Sequence, residues 1–253
     1  MCTLIIGIDV VRSGSVLMAA NRDEDPGRPS QPPGRLSESP RLVGGRDRRA
    51  GGTWLAVREG RAVVALLNRR DTTGEPAPAL PGRRSRGSLV LEVAAAQEDV
   101  PGLGLAGGAL RCASAATEAE RFAPCTLVFA SPEASWMMAI DADAAPRVEP
   151  LPAGWHVLTH ADLDDLSEPR TASLVREVAG FRPRSLGEAE RRLDLLLRSH
   201  GDPGAGLPPV CLHHGRMVTV SSSGVWLAAG EARYRHAEGR PCEHPLVDRS
   251  ALL

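Results

Sequence analysis

The tightest constraint on this chain is the order in which its hydrophobic period changes. Apolar, β-branched runs at 3–11 and 15–20 flank the turn signal Arg12-Ser13-Gly14 and read as a hairpin. Gly51-Gly52 opens a second hairpin, with strands at 54–58 and 61–67 around a turn at Glu59-Gly60. Leu89, Val90, Val93 and Ala94 have helical spacing and predict a helix over 86–98, with 115–121 continuing the helical layer. Strands return at 126–130 and 136–140 around Ser131-Pro132, and again at 155–159. Amphipathic helices follow at 169–180 and 185–199, the second opened by Ser185 with Glu188 three residues on, a capping box. Three short strands are expected within 209–238. This order is not the regular βαβ alternation of a doubly wound sheet. It predicts an α+β chain of antiparallel sheets covered by two helical layers. Residues 21–40 and 71–84, polar or rich in Pro, Gly and Arg, read as long loops, with 25–40 and 71–84 rimming a site.

A length of 253 residues is enough for one large domain with a full core. No internal repeat or linker divides it, so 1–253 is expected to be a single domain. Hydrophobic residues make 42% and charged residues 24%, which excludes a disordered chain. No apolar run approaches the roughly 18 residues of a membrane span. The net charge of −1 supplies no basic field for nucleic acid. Lysine is absent and asparagine occurs only as Asn21 and Asn68, as a G/C-rich coding bias would produce. The five cysteines include no CxxC pair, and the apolar stretch 4–8 is too short for a signal peptide, so the cytoplasm is the expected compartment.

Cys2 is the first residue with chemical promise. A small penultimate side chain permits removal of the initiator Met, and a mature N-terminal cysteine carries a thiol and a free α-amine together. The amine, with a pKa of about 8, can act as a general base for the thiol. Hairpin arithmetic strengthens the point. A turn at 12–13 puts Cys2 opposite Asp23, one at 12–14 opposite Glu24, and one at 13–14 opposite Asp25. Each register sets Cys2 beside Asn21-Arg22-Asp23-Glu24, which supplies a carboxylate, a guanidinium and an amide. In the second hairpin a turn at Glu59-Gly60 sets Asn68 opposite Gly51, and an amide beside free backbone N–H groups is what an oxyanion hole needs. Taken singly, a core cysteine, a charged strand end and a hairpin-end Asn explain these residues as well.

Together the motifs resemble the NRDE family, the transport and Golgi organisation protein 2 family. The resemblance rests on Met1-Cys2, Asn21-Arg22-Asp23-Glu24, Arg28-Pro29 and Gly51-Gly52-Thr53-Trp54-Leu55. It continues through Asn68, Ser85-Arg86-Gly87 with Leu89-Val90, and more weakly Thr219 to Ser223, spanning nearly the whole chain. It implies a four-layer αββα sandwich of antiparallel sheets, N-terminal nucleophile hydrolase-like. Penicillin V and bile-salt acylases of that broader superfamily are similar in having Cys second and an Asp after strand two. By that resemblance Cys2 would be the nucleophile, its amine the base, Asp23 the orienter and Asn68 an oxyanion donor. Asn21, Arg22, Glu24, Arg28, Gly52, Thr53, Trp54 and Arg86 would surround the ligand.

The implied activity is hydrolysis of an amide or thioester of a small acyl compound, with no required cofactor. Links of eukaryotic relatives to haem mobilisation and to lipid or acyl-CoA metabolism imply an alternative: non-catalytic carriage of haem or a fatty-acyl-CoA through the same residues. Haem would then be cargo, with Cys2, His160, His213 or His214 as axial ligand. A third reading is an inactive scaffold for protein partners, which the sequence does not identify. The chain departs from the family pattern in three places. Asp25 replaces the usual aromatic after the NRDE segment, and Met217-Val218 replaces an aromatic-Gly pair. His160 stands where an Asn commonly completes the oxyanion hole; a neutral imidazole can donate one hydrogen bond there.

Cys211, His213 and His214 lie close in sequence, and 211 and 213 would share a strand face. A metal there needs further ligands, so no metal is expected. Cys112, Cys125 and Cys242 read as core or incidental residues. The arginines of 46–49 and 83–86 read as solvated loop faces able to attract a phosphate or propionate. There is no CxxCH haem attachment and no glycine-rich phosphate loop.

Overall fold

The computed structural model describes residues 2–70, 83–97, 104–142 and 144–253, which form two compact units. The first takes the chain up to Gly27 together with Pro152–Ala251, and the second is Arg28–Leu151 with Leu252–Leu253.

The first unit is built on strands β1 (Thr3–Ile8) and β2 (Ser15–Glu24) and on β10 (Gly154–Leu158), β11 (Val218–Ala228), β12 (Glu231–Glu238) and β13 (Val247–Asp248). They form one antiparallel sheet in the order β10-β1-β2-β11-β12-β13. Helices α3 (Pro169–Ala179) and α4 (Leu186–Leu197) cover one face. Ile5, Leu17, Val157 and Trp226 from the strands pack with Leu174, Val178, Leu193 and Leu197 from the helices. Glu168 caps α3 by accepting from Thr171 N, and Ser185 caps α4 by accepting from Glu188 N. The Ser185 half of the expected box is present, but the Glu188 carboxylate accepts from Arg184 N, one residue before the cap, rather than from Ser185 N.

The second unit is a seven-stranded antiparallel sheet in chain order. Its strands are β3 (Ser30–Glu38), β4 (Arg41–Asp47), β5 (Leu55–Arg58), β6 (Ala62–Asn68), β7 (Cys125–Ala130), β8 (Ser135–Ile140) and β9 (Arg147–Pro150). Helices α1 (Arg86–Ala94) and α2 (Gly104–Ala119) pack on it through Leu89, Val90, Val93 and Ala109. The arginines of 83–86 bond within this unit: Arg83 and Arg86 donate to the carbonyls of Phe122 and Pro124, and Arg84 pairs with Glu92.

Four sequence expectations change. Residues 30–38 are an edge strand rather than loop. Pro32 and Pro33 fall where the β3–β4 register breaks between Gln31 and Gly34, and an edge strand tolerates proline because its outer N–H groups need no partner. Residues 209–217 are not a strand, so Cys211 and His213 share no strand face; the three short strands become the long pair β11 and β12. The β5–β6 register is one residue from that expected, with Arg58 opposite Ala62. Glu59 and Gly60 both have positive φ, and Arg61 is an extra residue before pairing starts. The β1–β2 register matches none of the enumerated turns, because Thr3 lies opposite Asn21. The predicted loop 71–84 lies outside the described residues as far as position 82.

Candidate active site

The first unit concentrates the N-terminal motif residues, and the mechanism of concentration is strand periodicity. In β2 the side chains of Asn21 and Asp23 share one face and that of Arg22 takes the other. β11 lies alongside, pairing Thr219 with Asp23, Ser221 with Arg22 and Ser222 with Asn21. Thr219 and Ser222 are an odd number of residues apart and would ordinarily point to opposite faces. The bulge between Thr219 and Ser221 corrects the parity and turns both toward Asn21 and Asp23. Gly239 N donates to the carbonyl of the bulged Val220 and fixes it.

The consequence is a buried polar seam on the helix side of the sheet. Thr219 Oγ1 donates to Asp23 Oδ1 at 2.7 Å. Arg170, at the start of α3, lies 3.5 Å from Asp23 Oδ2 and also donates to Thr3 Oγ1. Asp23 is only 3% exposed. Burial pushes its carboxyl above the ordinary aspartate value, against the pull of the Thr219 hydrogen bond and of Arg170. Asn21 is wholly buried: its amide donates to the carbonyls of Leu197 at 2.9 Å and Val210 at 3.1 Å, and its oxygen accepts from Ser222. It ties β2 to the end of α4 and to the segment after it.

Cys2 belongs to the opposite side. Carried one residue past the Thr3–Asn21 pair, the hairpin sets Cys2 level with Arg22. The β1–β10 ladder ends at the Leu4–Leu158 pair, and the chain bends at 159–160, so no register pair sets His160 against Cys2. Thr159 bonds to Thr171 of α3. Burial opposes ionisation of Glu168, the cap of that helix, but the hydrogen bonds from Thr171 hold its carboxyl low, and His160 lies close enough for its charge to help. The Cys2 thiol donates a long contact, 3.9 Å, to the Asp23 carbonyl. Burial and the Asp23 charge push the thiol above its usual range, with Arg22 acting in the opposite direction. At neutral pH the thiol is therefore protonated and needs a base. Arg22 is itself buried, 3.7 Å from Glu24.

The remaining predicted site residues belong to the second unit. Asn68 ends β6 opposite Cys125 of β7. Arg28 pairs with Asp47, Nε to Oδ2 at 2.9 Å. Burial opposes ionisation of Asp47, but Arg28 and the N–H groups of Arg49 and Ala50 hold its carboxyl below the usual range. Gly52 and Gly87 meet backbone to backbone, and Thr53 N donates to Gly87 O at 3.1 Å. A Cβ on Gly52 would lie 2.3 Å from the Gly87 carbonyl carbon, so the two glycine motifs are one contact. Thr53 Oγ1 turns back to the Leu55 carbonyl, and Trp54 O accepts from Leu66 N. Among the other thiols, burial pushes Cys125 up to about 12, which makes it inert.

The sequence reading missed Thr219 as a partner of Asp23, and Arg170 altogether. Thr219 was visible as a motif residue, but pairing it with Asp23 requires the β2–β11 neighbourhood and the bulge. Arg170 carried no signal beyond its place in a helix.

A family model described as Transport and Golgi organisation 2 matches residues 1–179. No curated protein matches the chain by sequence. Among solved structures, the Caenorhabditis elegans ortholog of N-acylethanolamine-hydrolyzing acid amidase aligns with a TM-score of 0.59 and 14% identity, over 99% of this chain and 95% of that one. The C2A mutant of conjugated bile acid hydrolase from Clostridium perfringens aligns with a TM-score of 0.55 and 12% identity, over 99% and 93%. At such identity the likeness is one of fold, and the fold is the expected N-terminal nucleophile hydrolase class of antiparallel sheets and helices.

Proposed function

The chain belongs to the Transport and Golgi organisation 2 family, and we propose that it is an N-terminal cysteine hydrolase of an amide or thioester. The observation that carries this reading is the buried Asp23, held by Thr219 and Arg170 in the strand beside Cys2. A carboxylate kept out of water at a strand end costs stability, and packing gives no reason for it. The reading requires Cys2 to be the mature N-terminus. Its thiol is buried and protonated, so a base must remove the proton, and the α-amine of the same residue is that base. Asp23, on the helix side of the sheet, orients the amine and stabilises its protonated form. It does not take the thiol proton itself.

In the reaction Cys2 Sγ attacks the acyl carbonyl while its proton passes to the amine. His160 is the proposed donor to the oxyanion. The tetrahedral intermediate expels an amine or thiol, which takes the proton back. Water, deprotonated by the same amine, then releases the acyl group. Arg22 and Glu24 are proposed beside the ligand. Asn21 acts through the frame it holds. No cofactor is needed for these steps, and the neighbours named for acyl amides and bile acid conjugates support an acyl substrate.

The test is intact mass with N-terminal peptide mapping, followed by reaction with an acyl-N-acetylcysteamine thioester. Loss of Met1 and an acyl adduct on Cys2 that is absent from Cys2→Ala are expected. Retention of Met1, or equal turnover by Cys2→Ala, would sink the nucleophile. Haem or acyl-CoA carriage would then be the reading to pursue, by Soret titration and calorimetry.

A further inference from the structure

We propose that the first unit carries a structural metal site, a Cys2His2 centre for zinc formed by His200, Cys211, His213 and Cys242. It goes beyond the hydrolase reading and does not rest on it. One ligand atom from each of the four side chains lies within 4.8 Å of every other. Cys211 Sγ is 3.5 Å from Cys242 Sγ, and Cys242 Sγ is 3.1 Å from His213 Nε2. With metal–sulfur bonds of about 2.3 Å and metal–nitrogen bonds of about 2.0 Å, the edges of a tetrahedral site run from roughly 3.3 to 3.8 Å. The two edges at Cys242 fall within about 0.4 Å of that range, and the other separations, all within 4.8 Å, close to it by side-chain rotation. They are far longer than the roughly 2.05 Å of a sulfur–sulfur bond.

The three stretches that supply the ligands are not neighbours in sequence. His200 follows α4. Cys211 and His213 lie on the irregular segment leading to β11, and Cys242 sits in the turn after β12. Each stretch is already fixed by backbone hydrogen bonds: Cys211 N donates to Ser199 O, Thr219 N to Leu212 O, and His244 N to Arg240 O. The ligands are thus presented by three anchored stretches rather than by one pliable loop. Packing gives no reason for two thiols and two imidazoles to converge at the surface, where His200 is exposed and His213 and Cys242 are half-buried.

The outer groups also fit. His213 turns Nε2 toward Cys242 and Nδ1 toward Glu243 Oε1, at 3.7 Å. A carboxylate behind a ligating imidazole fixes the ring and raises its basicity. Two thiolates and two neutral imidazoles carry a charge of −2, which a divalent ion cancels, and binding releases the two thiol protons. An S2N2 tetrahedral set selects zinc among common divalent ions. Four protein ligands leave no open position, so the centre is structural rather than catalytic. A cavity of about 440 Å³ lined by His200, Pro209, Cys211, Leu212, His213 and His214 gives an ion its way in.

The site has a structural consequence. Leu212, between two of the ligands, donates its N–H to Thr219 Oγ1 at 2.9 Å, the same oxygen that donates to Asp23. A metal that clamps residues 211–213 therefore clamps the hydroxyl that supports Asp23.

The test is elemental analysis of the full chain purified under reducing conditions, then titration of chelator-treated chain with Co²⁺ and Zn²⁺. About one zinc per chain is expected, and Co²⁺ should give thiolate-to-cobalt charge-transfer and tetrahedral ligand-field bands that Zn²⁺ abolishes. The bands should be lost in Cys211→Ser with Cys242→Ser. His200→Ala changes an exposed side chain and keeps the fold, so it tests the site even if the cysteine variants unfold; it should weaken Zn²⁺ binding by at least about 10-fold, and Glu243→Gln by about 10-fold. Folded, reduced chain that gives no such bands would overturn the site. So would bands that survive in the double serine variant or in His200→Ala with undiminished affinity, or that vanish in Cys2→Ala instead.

Discussion

Thr219 Oγ1 donates a 2.7 Å hydrogen bond to Asp23 Oδ1 across a register pair of β11 and β2, and a single bulged residue makes that bond possible. The bond favours the ionised carboxylate, which burial disfavours. If ionised Asp23 holds the amine of Cys2, the acidic limb of the kcat/KM profile lies above the ordinary aspartate value of 3.8. Thr219→Val removes the donor and destabilises the charged form, so the limb moves further up. A pH–rate series on the two proteins measures this. A limb at the same position in both would refute the coupling between Thr219 and Asp23.

His236 makes a second, separate pH prediction. Its ring is buried beside Ser223, with Nδ1 3.0 Å from Ser223 Oγ. Burial, with Arg249 adding to it, pulls its pKa down from 6.5 to about 4. The unfolded chain therefore binds this proton first as pH falls. The stability that neutral His236 preserves is fully present above 6.5 and is lost as pH drops toward 4. At 1.36 kcal/mol per pH unit, the loss is about 3 kcal/mol. Urea unfolding at pH 7.5 and 4.5 should show a smaller fall for His236→Asn than for the native chain by about that amount. Equal falls would place the acid sensitivity elsewhere.

The elements were far easier to read in the sequence than their registers. The apolar runs of β1 and β2 announce a hairpin, but its pairing depends on the loop. Val10 and Val11 look like strand residues, yet Asp9 takes φ 58 and its N–H donates to Ser15 O. The longer loop shifts the pairing so that Cys2 falls level with Arg22. It leaves Cys2 beside the same motif, because every register considered ended there. Residues 30–38 show the other kind of failure, since two adjacent prolines look like loop unless the strand is known to be an edge. The Cys2His2 cluster was half visible: Cys211 and His213 are adjacent but for one residue, whereas Cys242 lies 29 residues past His213 and is brought in only by the turn after β12.

Gly52 supplies a stability prediction. Its α-carbon faces the Gly87 backbone, and an added methyl would lie 2.3 Å from a carbonyl carbon, which cannot rotate away as a side chain could. Gly52→Ala must separate the segment before β5 from the start of α1 and break the bond from Thr53 N to Gly87 O. A loss of about 3 kcal/mol is expected from overpacking. Gly51→Ala, with φ 76 but nothing within 4 Å of the added atom, incurs only the backbone strain of about 1 kcal/mol. Denaturant midpoints of the two variants decide it; similar midpoints would mean that the glycine contact is not the constraint.

Asn21 opens the NRDE motif, and its contacts predict a framework role. Both amide hydrogens go to main-chain carbonyls, Leu197 O and Val210 O, and the amide oxygen takes the Ser222 hydroxyl. Asn21→Ala leaves those buried groups unpaired and should cost about 2–3 kcal/mol. Asn21→Asp is the sharper probe. An ionised carboxylate there would face two carbonyl oxygens, so its pKa in the folded chain must rise above the unfolded value. The folded state then holds the proton more tightly, and the variant is closest to native stability below about pH 4, losing stability as pH climbs through neutrality. Urea unfolding of Asn21→Asp at pH 4 and 7.5, each referenced to the native chain, should show the larger deficit at 7.5. A ligand-facing Asn21 would instead leave both deficits near zero and reduce turnover alone.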